Sequence, residues 1–264
     1  MDETNLSTVP KSRHKIIAAK GKRQVGFLSS AEKGVTTTGV FCMNAAGNFL
    51  PPMVIFKRKR MKDELKDGAP SGSVFACNDS GWIDTELFEK WIYHFITYVK
   101  PSKDHPILLI LHGHATHTKN LNAILKASKS GVIMLSLPPH TTHRMQPLDI
   151  SVFKPLQTYF EQEVKKWLRL NPGRGITKFQ VCNLMGLAFP KVASMCNAIS
   201  GFGTPGIWPF NRDAFGDHEF AAFAIRDENL VTISFSNGIS CPVNTDTSQA
   251  FQLETSPNIQ PAKS

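Results

Sequence analysis

The sequence contains no apolar run approaching the roughly 20 residues a helix needs to cross a bilayer, which excludes a membrane-spanning helix as its organising element. Its start, Met1-Asp2-Glu3-Thr4, lacks both the basic residues and the apolar stretch of a secretory signal. The expectation is an intracellular chain with no membrane partner. Cysteine is scarce: Cys42, Cys77, Cys182, Cys196 and Cys241 are scattered and odd in number, and none forms a C-x-x-C pair. That argues against a disulfide framework and a thiolate zinc site, leaving free thiols. The P-loop, the dinucleotide fingerprint and the G-x-S-x-G elbow are missing as well, and there is no internal repeat.

Acidic residues are under-represented. Lys plus Arg number 30 against 21 Asp plus Glu, a net charge of +9, while 41% hydrophobic content over 264 residues is ordinary for a folded protein with one substantial core or two small ones. The imbalance is local. Up to Lys66 there are 13 basic and 5 acidic residues, or +8, and after Phe215 there are 2 basic and 6 acidic, or −4. Such asymmetry suggests a polyanion-facing N-terminal part and a solvated tail. Lys11, Arg13, Lys15, Lys20, Lys22 and Arg23, with the block Lys57, Arg58, Lys59, Arg60, are candidate phosphate contacts. A basic surface that is merely solvated accounts for the same charges.

The patterning predicts an α/β fold. Gly34–Met43 and Phe49–Phe56 are β-branched and aromatic runs around Asn44-Ala45-Ala46-Gly47-Asn48, a hairpin, and Pro51-Pro52 place its second strand at an edge or bulge. A short strand covers Val74–Cys77. Asp84 is the N-cap of a helix whose Leu87, Phe88, Trp91, Ile92, Phe95, Ile96 and Val99 recur at helical spacing. Ile107–Leu111 and Val132–Ser136 are two fully buried parallel strands joined by a crossover helix with Leu121, Ile124 and Leu125 inside and Gly131 as its stop.

A long helix carries Ile150, Phe153, Leu156, Phe160, Val164, Trp167 and Leu168, with Asp149 at its N-terminal end. Gly175–Ala198 is helix-prone. Ser200–Asn211 is too rich in glycine and proline for regular structure, and its Phe202, Ile207, Trp208 and Phe210 should pack back onto the core. Beyond Phe215 a short helix through Phe220 and Phe223 precedes a Ser, Thr, Asn, Gln and Pro tail expected to be disordered. The domain is residues 1–215, followed by a low-complexity tail over 216–264.

Histidines His112, His114, His117, His140 and His143 cluster at the predicted carboxyl edge of the parallel strands, where open sheets bind ligands. Two chemistries are open there. One is a zinc site of His112, His114 and His117, joined by His140 or His143. The other is a carboxylate site for hard cations that lacks one carboxylate, the informative acids being Asp2, Glu3 and Asp149. Histidines that simply hydrogen-bond strand ends and loops are the ordinary alternative.

Several motifs occur in order: Met1-Asp2-Glu3-Thr4, Gly47-Asn48-Phe49-Leu50-Pro51-Pro52-Met53, Gly113-His114-Ala115-Thr116-His117, Leu135-Ser136-Leu137-Pro138-Pro139-His140-Thr141-Thr142-His143, Gln146-Pro147-Leu148-Asp149 and Gly206-Ile207-Trp208-Pro209. Together they resemble the DDE superfamily endonuclease domain of pogo- and Tigger/Jerky-type transposases, in the mariner group. That resemblance implies an RNase H-like mixed sheet flanked by helices, a nuclear location, DNA as partner, and assembly as a homodimer or with another protein. It also implies two magnesium ions held by three acids, which flank a scissile phosphate.

Matched residue by residue, the catalytic positions are Asp2, His112 and Asp149, of which Asp2 and Asp149 retain metal-binding carboxylates. The family has aspartate where His112 stands. Imidazole is neutral and cannot bridge two hard cations as a carboxylate does, so magnesium binding and cleavage are expected to be lost. Against the family pattern, the sequence also begins at the first acid, so that most of the first strand and the helix-turn-helix region are expected to be missing. The leading reading is a nucleic-acid-binding, catalytically inactive, transposase-derived domain. Two others stay open: an active metal-dependent endonuclease using Glu3 or a histidine-bound ion, and a decayed fragment with unpaired ladder groups.

Overall fold

A computed structural model of the chain describes residues 1–9, 36–138 and 141–216. The basic run from Lys11 to Arg23, His140, and everything beyond Gly216, including the expected short helix and tail, lie outside the described residues. Met1–Phe215 forms one compact unit.

Four strands make the larger sheet: β1 (Asp2–Ser7), β2 (Thr36–Phe41), β3 (Met53–Lys57) and β4 (Val74–Asn78), in that spatial order. The β1/β2 and β2/β3 pairs are antiparallel and β3/β4 is parallel. From Asp2 onward the first strand is intact, paired with β2 from Asp2↔Phe41 to Ser7↔Thr36. The predicted hairpin forms, closed by a Met43↔Phe49 bridge and a turn in which Gly47 takes φ +96°. Strand β3 is not at an edge, however. Pro51 and Pro52 precede its first residue, where they withhold no donor from the ladder, and the Pro52 carbonyl accepts from Val74 N.

Helix α1 (Thr85–Val99) leads to β5 (Ile107–Leu111), a single turn α2 (Ala115–Thr118), α3 (Leu121–Lys129) and β6 (Val132–Ser136). As predicted, Asp84 caps α1, its Oδ1 accepting from Leu87 N at 2.9 Å. Strands β5 and β6 pair in parallel as a two-stranded sheet. The two sheets meet at Met1, whose amine donates to Ile110 O at 2.7 Å and whose carbonyl accepts from the buried Gln146 Nε2 at 2.7 Å. After β6 come α4 (Thr142–Met145), α5 (Pro147–Ser151), α6 (Phe153–Leu170), α7 (Val181–Val192) and α8 (Met195–Gly203). The expected long helix is thus α5 and α6, separated at Val152.

Helices cover both faces of the larger sheet, which is why β3 reads as a continuous apolar run. Alternation sends Val40, Met53 and Ile55 to a core with Phe88, Trp91, Ile92 and Leu109. It sends Leu6, Phe41, Val54 and Phe56 to a second core with Leu148, Leu156, Phe160 and Phe189.

Three further expectations fail. The inner face of α3 is Ala123 and Ala127, whereas Leu121 and Leu125 are exposed. Asn120 sets that rotation. Its amide donates to Thr85 O on α1 at 2.8 Å and its carbonyl accepts from Ala123 N at 3.1 Å, so the small residues in line with it meet α1 closely. Strands β5 and β6 are buried on one face only, with Leu108, Ile133 and Leu135 exposed on the other, because α1 and α3 pack against just one side. Finally, α8 runs on through Gly203, and Trp208 and Phe210 stand out from the surface at 63% and 79% exposure rather than packing back.

Candidate active site

The topology brings four separated segments together where the sheets join. The first is the start of β1, which carries Asp2 and Glu3. The end of β5 delivers His112, the turn α2 holds His117, and the first turn of α5 holds Asp149. All three positions matched to the catalytic acids are therefore at one place. Asp2 is buried, and its Oδ1 accepts from Glu3 N at 2.9 Å.

His112 spans two carboxylates. Its Nδ1 lies 3.1 Å from Asp2 Oδ1 and its Nε2 lies 3.5 Å from Glu3 Oε2. The approach to Asp2 is close in distance but poorly aligned, an ion-pair contact rather than a well-formed hydrogen bond. His117 is wholly buried, its Nε2 is 3.2 Å from Glu3 Oε1, and its ring stacks obliquely on Phe88 with centroids 4.3 Å apart. Both oxygens of Glu3 thus face imidazoles. Sequence reasoning noted Glu3 only as a replacement acid. The signal for its actual role was its position beside Asp2 together with the last histidine of the Gly113–His117 motif.

His114 does not join this group. Its ring is exposed, with Nδ1 2.7 Å from Thr116 Oγ1, and it caps α2 instead. Of the zinc option's trio, His112 and His117 face a common carboxylate, whereas His114, its ring centroid 5.9 and 5.7 Å from theirs, stays outside that group. His143 is exposed on α4. Gln146 was noted only as the start of the Gln146–Asp149 motif, although by holding the Met1 carbonyl it fixes the backbone that carries Asp2.

Electrostatics follow from this crowding. The Asp149 carboxyl is pushed up to about 6, first by burial and then by the charge of Asp2, with His112 and His143 pulling the other way. For His112, burial disfavours the charged ring, but the contact with Asp2 and the charges of Glu3 and Asp2 outweigh it, so its pKa is raised. Asp149 is not a helix N-cap, since α5 has no side-chain cap.

Magnesium fits this donor set poorly. Two hard cations want bridging carboxylate oxygens, and here the middle position supplies nitrogen turned toward the oxygens of Asp2 and Glu3. A cavity of 610 Å³ lies near Met1, between the β2/β3 turn and β5, but its lining includes none of Asp2, His112 and Asp149.

The candidate basic contacts divide. Lys57, Lys59 and Arg60 are exposed, whereas Arg58 is half-buried with Nε and Nη1 enclosed and without hydrogen-bond partners. The register puts Asp2 level with Pro52, so Lys57 lies five residues, about 17 Å, further along the sheet.

A family model described as DDE superfamily endonuclease matches residues 33–201, more than half of the chain. His112 and Asp149 fall inside the match, and Asp2 and Glu3 fall outside it. Among curated proteins, an "MFS-type transporter clz9" from Cochliobolus lunatus is 30% identical over 173 residues, covering 65% of this chain and 19% of that protein. "Pogo transposable element with KRAB domain" is 24% identical in Homo sapiens and 23% in Mus musculus, each over 171 residues covering 63% of this chain and 27% of the relative. The chain thus spans about a fifth to a quarter of the length of these relatives. A solved structure, "Mos1 transposase paired-end complex with left transposon end", covers 76% of this chain and 55% of its own at 9% identity, with a TM-score of 0.40. No helix among the described residues is long and apolar enough to cross a membrane.

Proposed function

The chain belongs to the DDE superfamily endonuclease family, and on that footing we propose that it is a transposase-derived domain that binds nucleic acid without cutting it. One observation carries the reading. His112 occupies the position of the middle acid and directs its two nitrogens at Asp2 and Glu3. The pocket loses a negative charge and gains a base that competes with cations for the remaining carboxylates.

Glu3 is a poor replacement for the missing acid, because both its oxygens face His112 and His117. Binding is the part of the family's chemistry that needs no metal. A duplex lying along the sheet from the site would reach Lys57, Lys59 and Arg60 after about five base pairs at 3.4 Å each. The likeness to the human and mouse pogo transposable element relatives supports DNA as the polyanion, and a nuclear location belongs to the same proposal.

The test is binding of a labelled duplex by fluorescence anisotropy across salt concentrations. Neutralising three to six phosphates gives a log-log slope of about −3 to −6. A flat response contradicts the binding half of the proposal.

A further inference from the structure

We propose that Glu3, His112 and His117 form a binding site for a divalent transition-metal ion, zinc foremost, replacing the family's paired magnesium site. This goes beyond the nucleic-acid reading and stands whether or not the surface binds DNA. One ligand atom from each residue lies within 4.8 Å of the other two. Two donors held about 2.0–2.1 Å from a tetrahedral zinc are about 3.3–3.4 Å apart. The observed separations, 3.2 Å from Glu3 Oε1 to His117 Nε2 and 3.5 Å from Glu3 Oε2 to His112 Nε2, sit on either side of that value, with each Glu3 oxygen facing a different imidazole.

A second observation concerns the hydrogen bonding of the same group. Four polar atoms at this one spot are buried without a hydrogen-bond partner: Glu3 Oε1, His112 Nδ1, and both Nδ1 and Nε2 of His117. Buried polar groups are nearly always satisfied, and an ion held by Glu3 Oε1 and His117 Nε2 would satisfy two of the four, while His112 Nδ1 faces Asp2. A proton on His112 does not remove the difficulty, because Glu3 Oε1 and the Nε2 of the wholly buried His117, 3.2 Å apart, still make no hydrogen bond.

The surroundings suit an imidazole-bound metal. With His112 Nε2 on the ion, its Nδ1 is left facing Asp2 at 3.1 Å, the carboxylate–histidine–metal arrangement that fixes a ligand's tautomer and raises its basicity. Phe88 packs on the His117 ring and holds it in place. Two nitrogens and one carboxylate favour a borderline ion over magnesium, which prefers an octahedron of oxygens.

The experiment uses the full chain, free of any histidine tag and stripped with chelator. Zinc is titrated against a chromophoric chelator, and cobalt(II) serves as a probe whose visible absorption reports tetrahedral coordination. One equivalent bound is expected, with a hundredfold excess of Mg²⁺ failing to displace it. Glu3→Gln and His112→Asn, both close in shape to the native residues, should each weaken binding at least tenfold, Asp2→Asn about 10- to 100-fold, and His114→Ala less than twofold. Circular dichroism confirms that each variant is folded, and a misfolded one is replaced by His117→Gln. Absence of a stoichiometric complex, displacement by Mg²⁺, or affinity unchanged in folded Glu3→Gln and His112→Asn overturns the proposal.

Discussion

His112 Nδ1 stands 3.1 Å from Asp2 Oδ1, so the residue matched to the middle catalytic position meets the first as an ion-pair partner through one ring nitrogen, while the other faces Glu3 Oε2 at 3.5 Å. A cationic or hydrogen-bonding ring there stabilises carboxylates that in the wider family are stabilised by metal. The site is therefore balanced without magnesium, and substitutions that disturb the balance have predictable signs.

His112→Asp places a fourth carboxylate beside Asp2, Glu3 and Asp149 and leaves the buried Asp2 without its partner. The metal-free variant is expected to lose about 1–3 kcal/mol, less than the 3–5 kcal/mol of a fully buried broken pair because His112 is only half-buried. Millimolar Mg²⁺ should restore its melting temperature by binding the folded state, while leaving the parent chain unmoved. Differential scanning calorimetry with and without Mg²⁺ checks both effects, and an equal response of the two proteins contradicts this account.

Asp149 gives a pH prediction. Its folded value is raised from 3.8 to about 6, so it contributes stability below about pH 4 that is lost as pH rises through about 6. Asp149→Asn has no such titration. Urea unfolding in chelator should show the parent losing ground to the variant between pH 4 and 6.5. Parallel curves would mean that Asp149 is not crowded by burial and Asp2.

Gln146→Ala removes the donor to the Met1 carbonyl. Leaving that buried acceptor unsatisfied costs about 1–3 kcal/mol. The urea midpoint measures it, and a change under 0.5 kcal/mol would place the junction of the two sheets elsewhere.

Lys59→Ala with Arg60→Ala removes two exposed cations about 17 Å or more beyond the level of Asp2. If both touch phosphate, the magnitude of the log-log salt slope falls by about 1.8, with affinity reduced alike across duplex sequences. An unchanged slope removes this cluster from the interface.

Much of this was legible from local chemistry. The apolar run of β3, the Asp84 cap and the β5–β6 crossover are written in neighbouring residues, and the ordered motifs located Asp2, His112 and Asp149. What escaped depends on distant contacts. The bulky Leu121 and Leu125 suggested the inner face of α3, but Asn120, bonded to Thr85 35 residues away, decides it in favour of Ala123 and Ala127. Pro51 and Pro52 implied an edge strand, yet the ladder begins only after them. At the site, spacing grouped three histidines of one motif. The fold instead replaces His114 with Glu3 from the opposite end of the domain, because His114 is held by Thr116 in the cap of α2.

The central claim is that histidine at position 112 leaves a DDE site unable to cut. Nicking of supercoiled plasmid in Mg²⁺ or Mn²⁺ tests it most directly, with Asp149→Ala as the control. The account predicts that the parent chain nicks no faster than the control. Metal-dependent nicking by the parent that Asp149→Ala abolishes would contradict it.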